Sequence, residues 1–282
     1  MNHNFLPIES ISDTARLIAI ARAIETERPD ANFHDPWARM LGGDRGEKLL
    51  LALSQPPENL GFEVVIRTCL IDEAIAESIK QDNIDTVLNL AAGLDTRPYR
   101  MLLSPSLRWI EVDFPEITTY KQEKLKAEKP VCHLQTISLD LTNIPLRNQL
   151  FTQINNSSNQ VLIITEGLLA YLTHQQVKTL AIDLRKHHNF CGWICELASP
   201  LLMAQVKKKW GKSFANANAK LQFAPPEGPK FFTPYGWKTR QYRNLLAEAP
   251  RFNRDLPFGW EMRKNPLLKD GVAWLQPEHF KS

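Results

Sequence analysis

The stretch TVLNLAAGLDTR, residues 86–97, decides the fold: a short apolar run ends in a polar loop that contains Gly93. Three further runs of this kind follow, namely RWIEVD (residues 108–113), VLIIT (161–165) and GWICEL (192–197). Amphipathic stretches lie between them, at residues 117–126 and 175–188. Continuous apolar runs that alternate with helical lengths are typical of a buried parallel sheet. The sequence therefore predicts an α/β fold with a doubly wound, mostly parallel sheet.

Helical patterns fill the chain before the first strand. Apolar residues spaced three and four apart predict a helix over residues 12–27, with Ser12 or Asp13 as its N-cap. Prolines and glycines break the pattern over residues 29–46, and a further helix is predicted over residues 62–79. The first 80 residues are thus expected to form a helical segment that precedes the sheet.

The 282 residues, 43% of them hydrophobic, are enough for one large core, so we predict a single domain over residues 1–282. Residues 1–80 form its helical N-terminal segment and residues 81–200 its ligand-binding core. Residues 201–282 form an insertion and the C-terminal part of the sheet. The irregular, proline-containing stretch 201–234 predicts a lid over the binding site.

Composition excludes several classes of protein. Lys plus Arg total 34 against 31 Asp plus Glu, and a formal net charge of +3 is too small to attract nucleic acid over the whole surface. The chain lacks a secretory signal and an apolar run of membrane-spanning length, so we expect a cytoplasmic protein without a membrane partner. The four cysteines are irregularly spaced, and no His, Cys or acidic set has zinc spacing, which predicts reduced thiols and no metal.

Two residues near the first strands suggest a nucleoside ligand. Ligands of open parallel sheets bind beyond the carboxyl ends of the strands, where the strand order reverses. Asp113 lies 20 residues beyond Gly93 and ends the next strand, where an acid can accept hydrogen bonds from both hydroxyls of a ribose. A plain turn and a structural acid are the alternatives. Because the loop lacks the GxGxxG pattern of a dinucleotide site, a nucleoside without phosphate, such as S-adenosylmethionine (SAM), fits better.

The segment SLDL, residues 138–141, supplies a candidate adenine site. Asp140 could meet the adenine edge with its carboxylate, and Leu141 could pack against the ring. The alternative is that Asp140 caps a helix that begins near Thr142.

Six motifs in order carry a family resemblance: DTARLIAIARAIETE (residues 13–27), AAGLDTR (91–97), EVDFPE (111–116), SLDL (138–141), TEGLLAYL (165–172) and GWKTR (236–240). Together they resemble the leucine carboxyl methyltransferase family of SAM-dependent methyltransferases. The chain is more similar to the bacterial O-methyltransferases of that family, which act on small molecules including polyketide-type natural products, than to its protein C-terminal carboxyl methyltransferases. The resemblance implies a Rossmann-like class I methyltransferase fold and SAM as the cofactor.

The resemblance also implies cofactor-binding roles. Gly93 would approach the SAM tail, Asp113 would hold the ribose, and Asp140 with Leu141 would frame the adenine. One departure concerns the loop: Ala91 stands where many family members have the first glycine of GAGLDTR.

Two further positions match residues that bind the amino-acid tail of SAM in the family. Glu166 matches the acid near the amino group. Arg67, within IRTCLID, resembles the arginine that pairs with the carboxylate, for which a guanidinium offers two parallel hydrogen bonds.

The implied reaction transfers the SAM methyl group to an oxygen of a small-molecule acceptor, which is either a hydroxyl or a carboxylate. A hydroxyl benefits from a general base, for which Tyr171 and His174 are the nearest candidates, although a packed tyrosine and a helix-start histidine are alternatives. A carboxylate needs no base and would be oriented by an arginine such as Arg22 or Arg240. A SAM-binding protein without turnover and a nucleotide-dependent oxidoreductase are the rival classes, and the sequence leaves the oligomeric state open.

Overall fold

The computed structural model describes residues 11–53, 58–216 and 220–278. One sheet crosses the molecule, and its strands are β1 (Thr86–Leu90), β2 (Arg108–Asp113), β3 (His133–Ser138), β4 (Val161–Thr165), β5 (Phe190–Leu197), β6 (Trp237–Asn244) and β7 (Gly271–Pro277). Their order is β3-β2-β1-β4-β5-β7-β6, and β7 is antiparallel to both of its neighbours. The prediction of a doubly wound, mostly parallel sheet is confirmed.

Helices precede the sheet and cover both of its faces. They are α1 (Ile11–Thr26), α2 (Ala38–Leu53), α3 (Glu58–Gln81), α4 (Arg97–Arg100), α5 (Pro115–Lys124), α6 (Ile144–Ser157), α7 (His174–Arg185), α8 (Pro200–Asn216), α9 (Leu245–Glu248) and α10 (Gly259–Met262). Short 3₁₀ turns are formed by Leu169–Tyr171, Gly228–Tyr235 and Ala249–Phe252.

Strand order reverses beside β1. From β1 the chain passes outward to β2 and β3, and then returns to pair β4 with the other edge of β1, all in parallel register. The carboxyl ends of β1 and β4 therefore border the crevice in which open α/β sheets bind their ligands.

The core lies on both faces of the sheet because successive strand residues point to opposite sides. On one face, Leu88 and Ile110 belong to a buried cluster that includes Phe151 of α6 and Leu180 of α7. On the other face, Val87 and Trp109 belong to a cluster with Ile66 and Leu70 of α3. Burial on two faces explains why the central strands read as continuous apolar runs.

Glycines in α2 allow it to lie directly against α1. A Cβ atom added to Gly46 would lie 2.8 Å from the carbonyl oxygen of Arg16, and one added to Gly42 would lie 2.5 Å from Cδ1 of Ile20. Gly43 has a φ of 58° and kinks the helix. The expectation of a broken segment over residues 29–46 is therefore confirmed for residues 29–37, which form turns and bends, and wrong for residues 38–46, where the glycines serve a close helix contact.

Other details of the helical parts also differ from expectation. Helix α1 begins at Ile11, so Ser12 and Asp13 lie inside its first turn, and Asp13 forms an ion pair with Arg45 at 2.7 Å instead of capping. The predicted lid region begins with the regular helix α8, and residues 217–219 within it lie outside the described part.

All four cysteines are buried and free, as expected for reduced structural thiols. Among the helices of residues 11–53, 58–216 and 220–278, none is both long and apolar enough to cross a membrane.

The glycine contact between α1 and α2 predicts opposite effects for two substitutions. Gly46→Ala forces the Cβ against backbone atoms of Arg16 and is expected to destabilise the protein by about 1–3 kcal/mol. The control is Gly61→Ala in α3, where no atom lies within 4 Å of the new Cβ, and helix propensity predicts a gain of up to about 1 kcal/mol. Urea unfolding measures both, and equal stabilities would contradict the close packing.

Candidate functional site

A cavity of about 830 Å³ lies at the carboxyl ends of β1, β2, β4 and β5. The loops that follow these strands form its floor, and residues of α1, α3, α7 and α8 form its walls. Its size is near the upper end of the range of about 300–1,000 Å³ that small-molecule sites occupy. The cavity lies at the point where strand order reverses, as the topology requires.

The loop after β1 is fixed to the end of β2 by the carboxylate of Asp113. The Gly93 N–H donates to Oδ2 of Asp113 at 2.6 Å, and the Phe114 N–H donates to Oδ1 at 2.7 Å. Burial raises the pKa of Asp113, and these two hydrogen bonds oppose that effect by stabilising the ionised form. Gly93 and Asp113, which the sequence analysis connects by their separation of 20 residues, thus lie in direct contact, and both line the cavity.

The turn into this loop has an unusual backbone at Ala91, whose φ is 58°. This left-handed conformation brings the Cβ of an L-residue close to the following carbonyl and normally favours glycine. The alanine that departs from the family motif thus adopts the backbone conformation that the motif glycine would adopt without strain.

Arg67 and Glu166 meet at the end of β4. Nε of Arg67 donates to Oε1 of Glu166 at 2.9 Å, and its Nη1 lies 2.5 Å from Oε2 of Glu196 at the end of β5. Arg97 reaches the same carboxylate, with Nη1 at 2.8 Å from Oε2 of Glu166. Burial opposes ionisation, but Arg97 and Arg67 outweigh it and hold the pKa of Glu166 at about 2.

Arg97 itself is almost fully buried and joins several acids. Its Nε lies 2.6 Å from Oδ1 of Asp72 on α3, and its Nη1 lies 3.1 Å from Oδ2 of Asp95. Asp95 also accepts hydrogen bonds from the backbone N–H of Arg97 at 2.9 Å and from Nδ2 of Asn89 at 2.8 Å. Sequence reasoning missed these roles, although Asp95 and Arg97 lie within the quoted AAGLDTR motif.

The two arginines considered for orienting a carboxylate acceptor have other partners. Arg22 lines the cavity, but its Nε lies 2.8 Å from Asp35 and its Nη2 donates to the Leu94 carbonyl at 2.6 Å. Arg240 is not among the lining residues, and it pairs with Asp82 at 2.6 Å. The structure therefore does not bring Arg240 to the site.

Asp140 and Leu141 line the end of the cavity nearest β3. Oδ1 of Asp140 accepts hydrogen bonds from the N–H of Thr142 at 2.8 Å and from its hydroxyl at 2.7 Å. Helix α6 is capped by Asn143, which accepts from the Leu146 N–H at 3.2 Å, so Asp140 is not its N-cap. Asp140 forms a local turn that presents Leu141 to the cavity.

The two candidate bases lie in different surroundings. Tyr171 lines the cavity, where burial raises the pKa of its phenol while a hydrogen bond with the Thr14 side chain opposes that effect. His174, the first residue of α7, is exposed, and its ring packs against Phe223 at a centroid distance of 5.0 Å. The structure does not bring His174 to the cavity, because the cap at Thr173 starts the helix with this side chain outside.

The part of the cavity farthest from β3 is mainly apolar. Its lining includes Leu168 and Leu172 around the 3₁₀ turn after β4, and side chains of α8 and the segment that follows it: Leu202, Met203, Val206, Leu221 and Gln222. Residues of the predicted lid therefore do line the cavity.

The residues around the cavity fit SAM. Asp113 is a buried carboxylate at the end of β2, suited to the ribose hydroxyls, and Gly93 presents backbone without a side chain. Arg67 and Glu166 offer opposite charges for a zwitterionic tail.

The model of the family described as leucine carboxyl methyltransferase matches residues 15–184. The chain belongs to this family. The match covers most of α1, the predicted SAM-binding loops and the end of β4, and thus all or most of five of the six motifs that carry the resemblance; GWKTR, residues 236–240, lies outside it.

Two relatives are named SAM-dependent methyltransferases. One, from Streptomyces coelicolor, is 31% identical over 182 residues, which covers 59% of this chain and 62% of the relative. The other, from Mycobacteroides abscessus, is 32% identical over 195 residues and covers 62% and 61%. The chain thus spans about three fifths of the length of these two relatives.

The fold is also found in a solved structure, a DUF574 family protein from Streptomyces avermitilis. The two share a TM-score of 0.60 at 13% identity, and the alignment covers 94% of this chain and 97% of that one. This similarity supports the fold assignment along nearly the whole chain.

Metal binding has no visible basis in residues 11–53, 58–216 and 220–278, where no group of three or more His, Cys, Asp or Glu side chains is arranged to hold an ion.

The strain at Ala91 gives a stability prediction. Ala91→Gly removes a left-handed alanine that costs about 1–2 kcal/mol, against about 0.5–1 kcal/mol for the freedom that glycine loses on folding. We expect the protein to gain about 0.5–1 kcal/mol in chemical unfolding. The control is Ala92→Gly, where φ is not positive and the same change is expected to lose at least about 0.5 kcal/mol. A loss in both variants would contradict the strain.

Proposed function

We propose that this protein is a SAM-dependent O-methyltransferase that acts on a small molecule. One observation carries the proposal: a single cavity joins the charged residues that fit SAM to an apolar chamber lined by α8 and the segment after it. A protein that only binds SAM needs the first half of this cavity. The apolar lining of the second half suits an acceptor site.

Four positions are proposed to hold SAM. Asp113 accepts hydrogen bonds from the ribose, Arg67 pairs with the carboxylate of the tail, and Glu166 receives its amino group. Leu141, beside Asp140, packs on the adenine. Bound SAM supplies an electrophilic methyl group on a sulfonium sulfur.

Most of the catalytic effect in this proposal comes from positioning. Methyl transfer is an in-line displacement, so the acceptor oxygen must be held close to the methyl carbon in a site that excludes water. The apolar side chains of α8, including Leu202 and Met203, and those of α1, including Leu17 and Ile18, line the walls that would exclude it.

Tyr171 is proposed to orient the acceptor. Because burial raises the pKa of its phenol, the side chain is protonated at neutral pH and donates a hydrogen bond. It would hold the acceptor oxygen by that bond rather than remove a proton from it.

Carboxyl methylation is a second candidate, favoured by the description of the family model. It requires a cation that is free to receive the acceptor carboxylate, and the arginines first considered for that role, Arg22 and Arg240, are ion-paired with Asp35 and Asp82.

The ribose contact is tested at Asp113. Asp113→Ala removes the carboxylate that accepts the ribose hydroxyls, a loss of about 1.5–3 kcal/mol, or about tenfold to a hundredfold in affinity for S-adenosylhomocysteine. Calorimetry measures the affinity, and Glu123→Ala on the exposed side of α5 is the control. An unchanged dissociation constant in a folded Asp113→Ala protein would exclude the ribose role.

The orienting role is tested at Tyr171. Tyr171→Phe keeps the ring and loses one neutral hydrogen bond, so kcat/KM is expected to fall about threefold to tenfold while affinity for S-adenosylhomocysteine stays nearly constant. The control is Tyr235→Phe, which makes the same change at a ring that lies outside the cavity and packs on Phe231. Equal rates in all three proteins would mean that Tyr171 is a packing residue.

A further inference from the structure

Glu63 faces the acceptor side of the cavity. It lies on α3 one turn before Arg67, so the two side chains share a helix face, and both line the main cavity. Glu63 also lines a side chamber of about 90 Å³ that adjoins it. The side chamber is lined by apolar residues such as Ala170 and Leu202, and also by Arg67, Glu196 and Asp270. Neither Asp113 nor Asp140 lines it, so Glu63 lies away from the proposed ribose and adenine sites, between the residues proposed for the SAM tail and the apolar part of the cavity.

Glu63 differs from the neighbouring acids because its carboxylate has no partner. Among residues 11–53, 58–216 and 220–278, no side chain or backbone group forms a hydrogen bond or ion pair with it. Glu166 and Glu196 both pair with Arg67, and Asp270 accepts hydrogen bonds from the N–H and hydroxyl of Ser199. Glu63 is therefore available to a bound molecule.

Three charged groups act on this carboxylate from the surrounding elements. Arg67 on α3 attracts it, whereas Glu196 at the end of β5 and Asp270 before β7 repel its ionised form. Burial has the largest effect, and together with Asp270 it raises the pKa of Glu63 to about 7. A general base works best with a pKa near the working pH, which this carboxyl has and the protonated Tyr171 does not.

Cations in the cavity are already committed to other acids. In the described part of the chain the lining residues include five arginines and no lysine, and each arginine has an acidic partner. The pairs are Arg22 with Asp35, Arg67 with Glu166 and Glu196, Arg97 with Asp72, Arg100 with Asp72, and Arg147 with Asp183. Arg67 is, in addition, the residue proposed to receive the carboxylate of the SAM tail. An anionic acceptor would therefore meet the free carboxylate of Glu63 without a further cation to offset it.

We propose that Glu63 is the general base of the reaction and that the acceptor is a neutral hydroxyl compound, not a carboxylate. This inference rests on the proposed function. A bond forms between the acceptor oxygen and the methyl carbon of SAM as the bond between that carbon and the sulfur breaks. The hydroxyl proton passes to the Glu63 carboxylate. The products are a methyl ether, S-adenosylhomocysteine and protonated Glu63, which returns its proton to solvent, so atoms and charge balance without a further reactant.

The first test compares Glu63→Gln with Glu77→Gln, which makes the same change at an exposed position of the same helix. Labelled SAM is offered with phenols of one to three rings and with the matching acids, in which a carboxyl replaces the hydroxyl. We expect transfer to phenols, a fall in kcat of about a hundredfold to ten-thousandfold in Glu63→Gln, and no fall in Glu77→Gln. Affinity for S-adenosylhomocysteine, measured by calorimetry, should stay nearly constant in both variants.

The pH profile provides the mechanistic readout. A base is active when ionised, so kcat of the parent should fall as pH decreases through about 7, and this limb should be absent from the residual activity of Glu63→Gln. Transfer to the acids but not the phenols, or an unaffected Glu63→Gln enzyme, would overturn the inference and leave SAM-dependent O-methylation intact. Failure to bind SAM, or to methylate any member of the panel, would overturn the proposed function as well.

A second test needs no acceptor. Since the pKa of Glu63 in the folded protein, about 7, lies above the ordinary value of 4.5, its ionisation costs stability as pH rises between these values. Glu63→Gln removes that cost, so its Tm should exceed the parent's at pH 8, and the difference should shrink towards pH 5. Glu77→Gln should show no such trend. A difference in Tm that does not change with pH would show that Glu63 ionises like a solvated acid, and would overturn its role as the base.

Discussion

The geometry of the site depends on one half-buried carboxylate, Glu166, which bridges two arginines from separate parts of the chain. Arg67 comes from α3 and Arg97 is the first residue of α4, while Glu166 directly follows β4. Removal of one partner from a buried pair leaves an uncompensated charge, which costs about 3–5 kcal/mol. The bridge therefore fixes α3 against the point where strand order reverses, and with α3 it fixes the direction of both Arg67 and Glu63.

Backbone strain and close packing complete this arrangement on the other side of the cavity. The left-handed residue Ala91 is followed by Gly93, whose N–H is held by Asp113 at 2.6 Å, so the loop has a fixed shape despite the strain. Helix α1, which packs against this loop and also lines the cavity, is held by α2 through the close approach at Gly42 and Gly46. The cavity is thus bounded by elements whose positions are set by packing and ion pairs before any ligand binds, which favours preorganised binding.

The sequence predicts most of the sheet because the central strands are apolar on both faces, and Arg108–Asp113 and Val161–Thr165 have the bounds expected from their runs. Gly93 and Asp113 could be found because their spacing follows from the topology of a parallel sheet. The ion pairs of Arg97 with Asp95 and Asp72 could not be predicted from the sequence, since Asp72 lies on another helix and far from Arg97 along the chain. Glu63 carries no motif at all: only the fold shows that one turn of helix aligns it with Arg67. Glycines such as Gly46 led to the wrong prediction of a turn within α2, because glycine occurs both in turns and where two helices lie in close contact.

The charges of the SAM sulfonium and of the Glu63 carboxylate bear on which acceptor the cavity favours. SAM enters with a positive sulfonium, and the part of the chain that the structure describes offers Glu63 as an unpaired carboxylate on the acceptor side. Transfer to a hydroxyl leaves a neutral thioether and a neutral carboxylic acid, so two opposite charges disappear inside an apolar site. Because ionised groups are costly to bury, the burial of Glu63 and its repulsion by Asp270 and Glu196 favour a reaction that neutralises its charge. The ion pairs that hold the lining arginines in the described residues also occupy Glu166 and Glu196, so Glu63 is the carboxylate that the proposed reaction uses to take the proton of the acceptor.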